Sequence, residues 1–261
     1  MEPDTLEFTV QVAREAGRLV KGAVRTRSVS PKQSDDYGFD VVTDTDLASE
    51  QLIVERVRAK FPGYDVFTEE TEHAISSEWY WCVDPIDGTK NFASGLPYVS
   101  VSIALMHEDI PQVGVIHNVF GGETYAARRG GGATCDGEPI SVSATARFED
   151  SLVALEGVQI HLQERRYVRQ LHLGTRAVRN FGSAALNIAY MARGSLEGYI
   201  DEDLKCYDIA AGALILEEAG GRLTHCDGSP MWPRRPDYGD IDVLGGNAHI
   251  HPLLVELVAG G

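Results

Sequence analysis

The stretch Trp81-Cys82-Val83-Asp84-Pro85-Ile86-Asp87-Gly88-Thr89-Lys90-Asn91-Phe92 decides how the rest of the chain is read. Trp79 to Val83 is aromatic and β-branched, so it reads as a strand that delivers Asp84 at its end. Pro85 lacks an N–H and is expected to end strand pairing. Asp87 follows in a tight turn that Gly88 permits, and Thr89 opens a helical turn. Two carboxylates three residues apart on a fixed turn can share one hard cation, and the carbonyl of Ile86 can add a further oxygen. The N–H groups of Gly88 and Thr89 would face an anion, as helix N-termini do. The same residues also read as an Asp-Pro turn with Asp87 as a helix cap, and this stretch alone leaves both readings open.

Three further segments bring acids to the ends of apolar elements. Val66-Phe67-Thr68 leads into Glu69-Glu70. Asp40-Val41-Val42-Thr43-Asp44-Thr45-Asp46 is strand-like and precedes a helix expected from Leu47. Tyr207-Asp208 heads a helix whose Ala210, Ala211 and Gly212 would allow close packing against a neighbour. Each feature alone is a solvated strand end or a helix cap. Four together are harder to read that way. Converging carboxylates repel strongly, and bound cations are the simplest compensation.

Working outward, helical spacing runs through Leu6–Val24 and Leu47–Phe61, with Ser28–Asp40 between them as a loop. Val99–Met106 and Gln112–Val119 read as strands joined by a hairpin at Glu108-Asp109-Ile110-Pro111. Thr124–Ala127 is a further strand, and Gly130–Gly137 reads as turns. Ser151–Leu155, Gly198–Asp201, Arg222–His225 and Val243–Leu244 read as strands. Ala184–Ala192, Asp208–Ala219 and Pro252–Val258 read as helices. Alternating strands and helices give a layered α/β arrangement. Two regions are expected, 1–145 and 146–261, divided within Ser141–Phe148.

The 261 residues carry 39 acids against 23 Lys and Arg, a net charge of −16. Such a surface repels nucleic acid unless basic residues gather in one place, and Arg128-Arg129 and Arg165-Arg166 are short groups. Only five lysines stand against eighteen arginines. No window approaches the run of about 20 apolar residues a membrane helix needs. The start, Met1-Glu2-Pro3-Asp4, has the character of neither a signal nor a transit peptide, so a cytoplasmic protein is expected. Cys82, Cys135, Cys206 and Cys226 are widely spaced and read as incidental thiols. The histidines, including His73, His107, His117 and His225, show no catalytic pattern.

Together the acid-bearing motifs resemble the inositol monophosphatase family, within the superfamily that includes fructose-1,6-bisphosphatases. Asp84-Pro85-Ile86-Asp87-Gly88-Thr89 matches its central signature, and Asp208-Ile209-Ala210-Ala211-Gly212 with Glu218-Ala219-Gly220-Gly221 matches its second. Glu69-Glu70 and Val42-Thr43-Asp44-Thr45-Asp46 precede them in the expected order, and Gly182-Ser183-Ala184-Ala185 looks like its substrate-side segment. The resemblance covers roughly residues 6 to 258 and implies a layered α-β-α-β-α sandwich, a homodimer, and two or three Mg²⁺ ions per site. Glu69, Asp84 and the Ile86 carbonyl would hold one ion. Asp84, Asp87 and Asp208 would hold a second, and a third would lean on Glu69. Gly88 and Thr89 would bind phosphate. Asp46 would orient the Thr89 hydroxyl, and that pair with the first metal would activate water. Asp201 and Ala184 would face the alcohol part of a small phosphorylated polyol or sugar.

Two departures from the family pattern stand out. The lysine often found before the Asp46 motif has only Lys32 as a counterpart, in a longer loop. The polyol-facing position holds Asp201 where many inositol-specific members carry glutamate. Hydrolysis of inositol 1-phosphate is the leading expectation from the resemblance, while the shorter Asp201 points away from inositol and toward a sugar phosphate. Fructose 1,6-bisphosphate, histidinol phosphate and 3′-phosphoadenosine 5′-phosphate remain alternatives. A partner-binding role with the transcription machinery is the non-enzymatic one.

Overall fold

The computed structural model describes residues 4–26, 28–31, 41–71, 74–157, 166–236 and 239–260. Lys32, Asp40, His73 and Arg165 lie outside the described residues.

Helix α1 (Thr5–Ala23) repeats apolar side chains every three or four residues, and its Val12, Ala13, Ala16 and Val20 are fully buried. Short strands β1 (Val29–Pro31) and β2 (Val41–Thr43) pair antiparallel; β2 falls in the run expected to be strand-like, whereas β1 lies where only a loop is expected. Helix α2 (Asp44–Lys60) begins three residues earlier than Leu47, because Thr43 caps it: the Thr43 hydroxyl accepts from Thr45 N–H.

The first sheet has seven strands in sequence order: β3 (Asp65–Thr68), β4 (Trp79–Asp87), β5 (Ser100–His107), β6 (Ile110–Asn118), β7 (Thr124–Arg128), β8 (Ala133–Cys135) and β9 (Glu138–Pro139). Only β3 and β4 are parallel; the rest form an antiparallel meander. The β5–β6 connection is a two-residue hairpin with Glu108 and Asp109 both in the left-handed region (φ 48° and 63°), the twist-matching turn such hairpins favour. Strand β8 falls inside the glycine-rich stretch expected to be turns. There Gly130, Gly132 and Gly137 supply the corners, and Ala133 to Cys135 pair with β7.

Residues 140–147 carry the chain across to the second sheet. This sheet is ordered β11 (Ala177–Arg179), β10 (Leu152–Leu155), β12 (Gly198–Leu204), β14 (Ile241–Gly246), β13 (Arg222–His225). Strand β10 runs parallel to both neighbours, and β14 is antiparallel to β12 and β13.

Alternation of side chains along the strands sorts the molecule into five layers. Trp81 and Val83 face α1 and α2, while Tyr80 and Cys82 face α5 (Ala184–Ala192) and α6 (Cys206–Glu218). Ala154, Tyr199 and Val243 of the second sheet meet the same two helices from the other side. Val153, Leu155, Ile200 and Leu244 face α4 (Arg166–Gly174) and α7 (Ile250–Ala259). The order is α-β-α-β-α. Both faces of β4 are covered, which is why it reads as a continuous apolar run. The small residues at the start of α6 let it lie almost on β6. A Cβ on Gly114 would sit 2.6 Å from the Ala211 carbonyl oxygen, and one on Gly212 would sit 3.0 Å from Ile188.

Candidate metal and phosphate site

Strand β4 does not stop at Pro85. It pairs Asp84 with Ser102 and Asp87 with Ser100, with the register shift of a bulge between them. The missing N–H of Pro85 thus interrupts the ladder without ending it. The bulge sets both carboxylates at the rim of the sheet. The Ile86 N–H donates to Asp84 Oδ1 at 3.0 Å, and Ser49 of α2 donates to the Pro85 carbonyl at 3.0 Å.

The start of α6 meets this rim from the middle layer. Asp208 is the third residue of that helix, and its Oδ2 accepts the Lys205 N–H at 2.6 Å. Oxygens of Asp84, Asp87 and Asp208 all lie within 4.8 Å of one another. Asp84 is held well above the usual carboxylate range by burial first, then by the charges of Glu69, Asp87 and Asp208. Asp208 is raised by burial and by Glu69, with the Lys205 N–H working the other way. Glu69, at the end of β3, is therefore part of the same electrostatic group. The shared cause is uncompensated negative charge out of water.

Asp87 is different. Its Oδ2 accepts from Ser100 Oγ at 2.9 Å, from Ala185 N–H at 3.0 Å and from the Ser183 hydroxyl; its Oδ1 accepts from Ala184 N–H at 3.1 Å. Burial raises its pKa, and these four donors oppose the rise. The carboxylate occupies the N-terminus of α5, where the helix dipole favours an anion.

These donors are carboxylate oxygens, with Asp84 and Asp87 buried and Asp208 half-buried, and among the described residues no sulfur or imidazole joins them. Such a set fits a hard divalent cation. Asp84, Asp87, Asp208 and Glu69 are the residues that would hold it. The Ile86 carbonyl faces the same rim and accepts from the Thr89 hydroxyl at 2.8 Å.

Past the bulge, Gly88 turns the chain with φ 90° into α3 (Thr89–Ser94). A Cβ there would lie 2.9 Å from the Tyr98 carbonyl oxygen and 3.1 Å from that of Gly182. The Thr89 hydroxyl is also 3.1 Å from Asp46 Oδ1. Asp46 is fully buried; its Oδ2 accepts the Thr43 N–H at 2.9 Å and the Thr43 hydroxyl. Burial holds its pKa up, opposed by Thr43 and Thr89.

Asp201 lies on β12. Its carboxyl accepts from the Tyr199 hydroxyl at 2.5 Å and from the Glu202 N–H at 2.8 Å. Burial pushes it up to about 8, with the charges of Glu156 and Asp87 adding to the rise. Ala184 is buried and directs its N–H to Asp87.

Two contributors, Ser100 and Glu156, are missed by the sequence reading, and a third, Ser183, is named there only within Gly182-Ser183-Ala184-Ala185 and without a role. Ser100 and Ser183 both bind Asp87, but Ser100 stands in an apolar strand and gives no signal. Glu156, at the end of β10, is buried and accepts from the N–H groups of Phe181 at 2.6 Å and Gly182 at 3.0 Å and from Asn187 Nδ2 at 3.0 Å. It fixes the segment that leads into Ser183. An acid ending an apolar strand was its only signal.

The Inositol monophosphatase family model matches residues 2–260. The chain is 35% identical to the fructose-1,6-bisphosphatase/inositol-1-monophosphatase of Thermotoga maritima, covering 98% of this chain and 96% of that one. It is 32% identical to the inositol-1-monophosphatase of Synechocystis, covering 98% and 91%. The solved structure of the extragenic suppressor protein suhB from Bartonella henselae superposes with a TM-score of 0.89 at 32% identity, covering 98% of both chains. With the family model matching almost the whole chain and the fold shared with that solved structure, the chain belongs to the inositol monophosphatase family of phosphoric monoester hydrolases.

Proposed function

We propose that this chain is a Mg²⁺-dependent phosphatase that releases phosphate from inositol 1-phosphate, using two or three ions. The observation that carries the reading is the meeting of Asp84, Asp87 and Asp208 oxygens within 4.8 Å, beside the turn at Gly88 and Thr89. When bound, Mg²⁺ supplies Lewis-acid charge that lowers the pKa of water and steadies the leaving oxygen. Glu69, Asp84, Asp87, Asp208 and the Ile86 carbonyl hold that charge in place. The N–H groups of Gly88 and Thr89 receive the phosphate oxygens. Asp46 accepts from Thr89, so the Thr89 hydroxyl oxygen can take a proton from an attacking water as its own proton passes to the Asp46 carboxylate. Asp201 and Ala184 face the alcohol. No side-chain nucleophile is required. The protein acts as a cytoplasmic homodimer in this reading.

A second substrate, fructose 1,6-bisphosphate, is favoured by the name of the Thermotoga relative. Phosphate release from inositol 1-phosphate, fructose 1,6-bisphosphate, histidinol phosphate and 3′-phosphoadenosine 5′-phosphate, each with and without Mg²⁺, separates the readings. Mg²⁺-dependent release that is fastest from inositol 1-phosphate is expected. No release from any of the four, by folded protein that binds Mg²⁺, would overturn the proposal and turn attention to a partner-binding role.

A further inference from the structure

One face of α2 carries Asp46, Ser49, Glu50, Ile53 and Val57, all buried. The stripe is apolar at its far end and polar where it reaches the site. Asp46 meets Thr89, and Ser49 meets the Pro85 carbonyl. Glu50, only 6% exposed, reaches the third loop of the site. Its Oε2 accepts the Glu70 N–H at 3.0 Å, and its Oε1 accepts the Thr71 hydroxyl at 2.5 Å. The Thr68 hydroxyl closes the same turn, donating to the Thr71 carbonyl at 3.0 Å and accepting the Thr71 N–H at 3.3 Å. Glu69 stands at the corner of this turn.

A carboxylate in a helix interior gains nothing for the helix by being buried, and burial costs it hydration. Among the described residues, Glu50 is compensated through its hydrogen bonds to the turn. The consequence falls on Glu69: its backbone is fixed on one side by β3, where Thr68 pairs with Val83, and on the other by Glu50, on the helix that also carries Asp46. We propose that Glu50 is a positioning residue for the cation site, holding Glu69 in register with Asp84 and Asp208 through the Glu70 N–H and the Thr71 hydroxyl. The proposal rests on the reading of Glu69 as a Mg²⁺ ligand. Groups that orient ligands in this way typically change metal affinity by about 10–100-fold when removed.

The test is the Mg²⁺ concentration giving half of the metal-induced rise in unfolding temperature, with EDTA-stripped protein as the starting point. Glu50→Ala should raise it about 10-fold or more. Glu50→Gln keeps one acceptor oxygen and should fall between Glu50→Ala and the unaltered protein. Thr71→Val removes only the hydroxyl and should give a smaller rise; it carries the test if Glu50→Ala does not fold. Glu69→Gln reports on the underlying reading. If Glu69→Gln weakens Mg²⁺ while Glu50→Ala and Thr71→Val merely lower the metal-free unfolding temperature, Glu50 is structural and the proposal is overturned. If Glu69→Gln leaves Mg²⁺ binding unchanged, Glu69 is no ligand and the reading beneath the proposal fails instead.

Discussion

The Ala185 N–H donates to Asp87 Oδ2 at 3.0 Å, joining the helix between the sheets to a carboxylate on the first sheet. With Ser100, Ser183 and Ala184 also donating, Asp87 is as much a helix cap as a candidate ligand. Asp84 has a different balance. It receives the Ile86 N–H and is surrounded by Glu69, Asp87 and Asp208.

These two neighbours should therefore respond oppositely to mutation in metal-free protein. Asp87→Ala strands two helix N–H groups and two buried hydroxyls, and should lower unfolding free energy by about 1–3 kcal/mol. Asp84→Asn removes one charge from a cluster in which each pair, at an effective dielectric of about 20, repels by roughly 3–4 kcal/mol. It should raise metal-free stability while abolishing Mg²⁺-linked stabilisation. Urea denaturation in EDTA measures both. A loss of stability in Asp84→Asn would show that the cluster is not strained by its own charge.

Thr89→Ala should separate chemistry from binding. The Asp46–Thr89 pair lies beside the carboxylate cluster, so its loss should lower kcat by about 100-fold or more, the range of a lost proton-transfer group. Mg²⁺ affinity should change little. Equal kcat in the variant would remove Thr89 from the mechanism.

Gly88→Ala meets two obstacles, a left-handed φ of 90° and a carbonyl oxygen 2.9 Å from the new Cβ. The strain should cost about 1–3 kcal/mol and tilt the N–H groups of Gly88 and Thr89. KM for the phosphorylated substrate should rise along with the loss of stability, and a variant with unchanged KM would dissociate this turn from phosphate binding.

His117 gives the acid side of the stability profile. It is buried on β6, with Nδ1 3.0 Å from Thr124 Oγ1. Burial, then the charge of Arg14, lowers its pKa from 6.5 to about 4; Arg18 and Lys21 act the same way and Asp136 opposes them. A pKa depressed by folding contributes stability that is complete above pH 6.5 and is lost as pH falls toward 4. The drop in urea midpoint between pH 7 and pH 4.5 should be smaller in His117→Gln. Equal drops would assign acid sensitivity elsewhere.

Much of this was legible in the residues. The strand into Asp84, the turn at Gly88, and the small residues of α6 each follow from local chemistry. The bulge at Pro85-Ile86 was not, because resumed pairing at Asp87 depends on Ser100 across the sheet. Strand β8 was hidden for the same reason: three ordinary residues between glycines become a strand only when β7 offers an edge. Among site residues, Asp46 and Asp208 sit at the ends of apolar patterns and announce themselves. Glu50 and Glu156 do not, since a carboxylate inside a polar helix or after a strand looks solvated until the neighbouring loop is in place.

The most direct test is phosphate release from inositol 1-phosphate by EDTA-stripped protein titrated with Mg²⁺, alongside Asp84→Asn. No release without metal is predicted, then a rise steeper than first order in Mg²⁺ at low concentration, and near-background release in the variant throughout. Full turnover after stripping, or the same Mg²⁺ response in Asp84→Asn, would contradict the assignment of catalysis to this cluster.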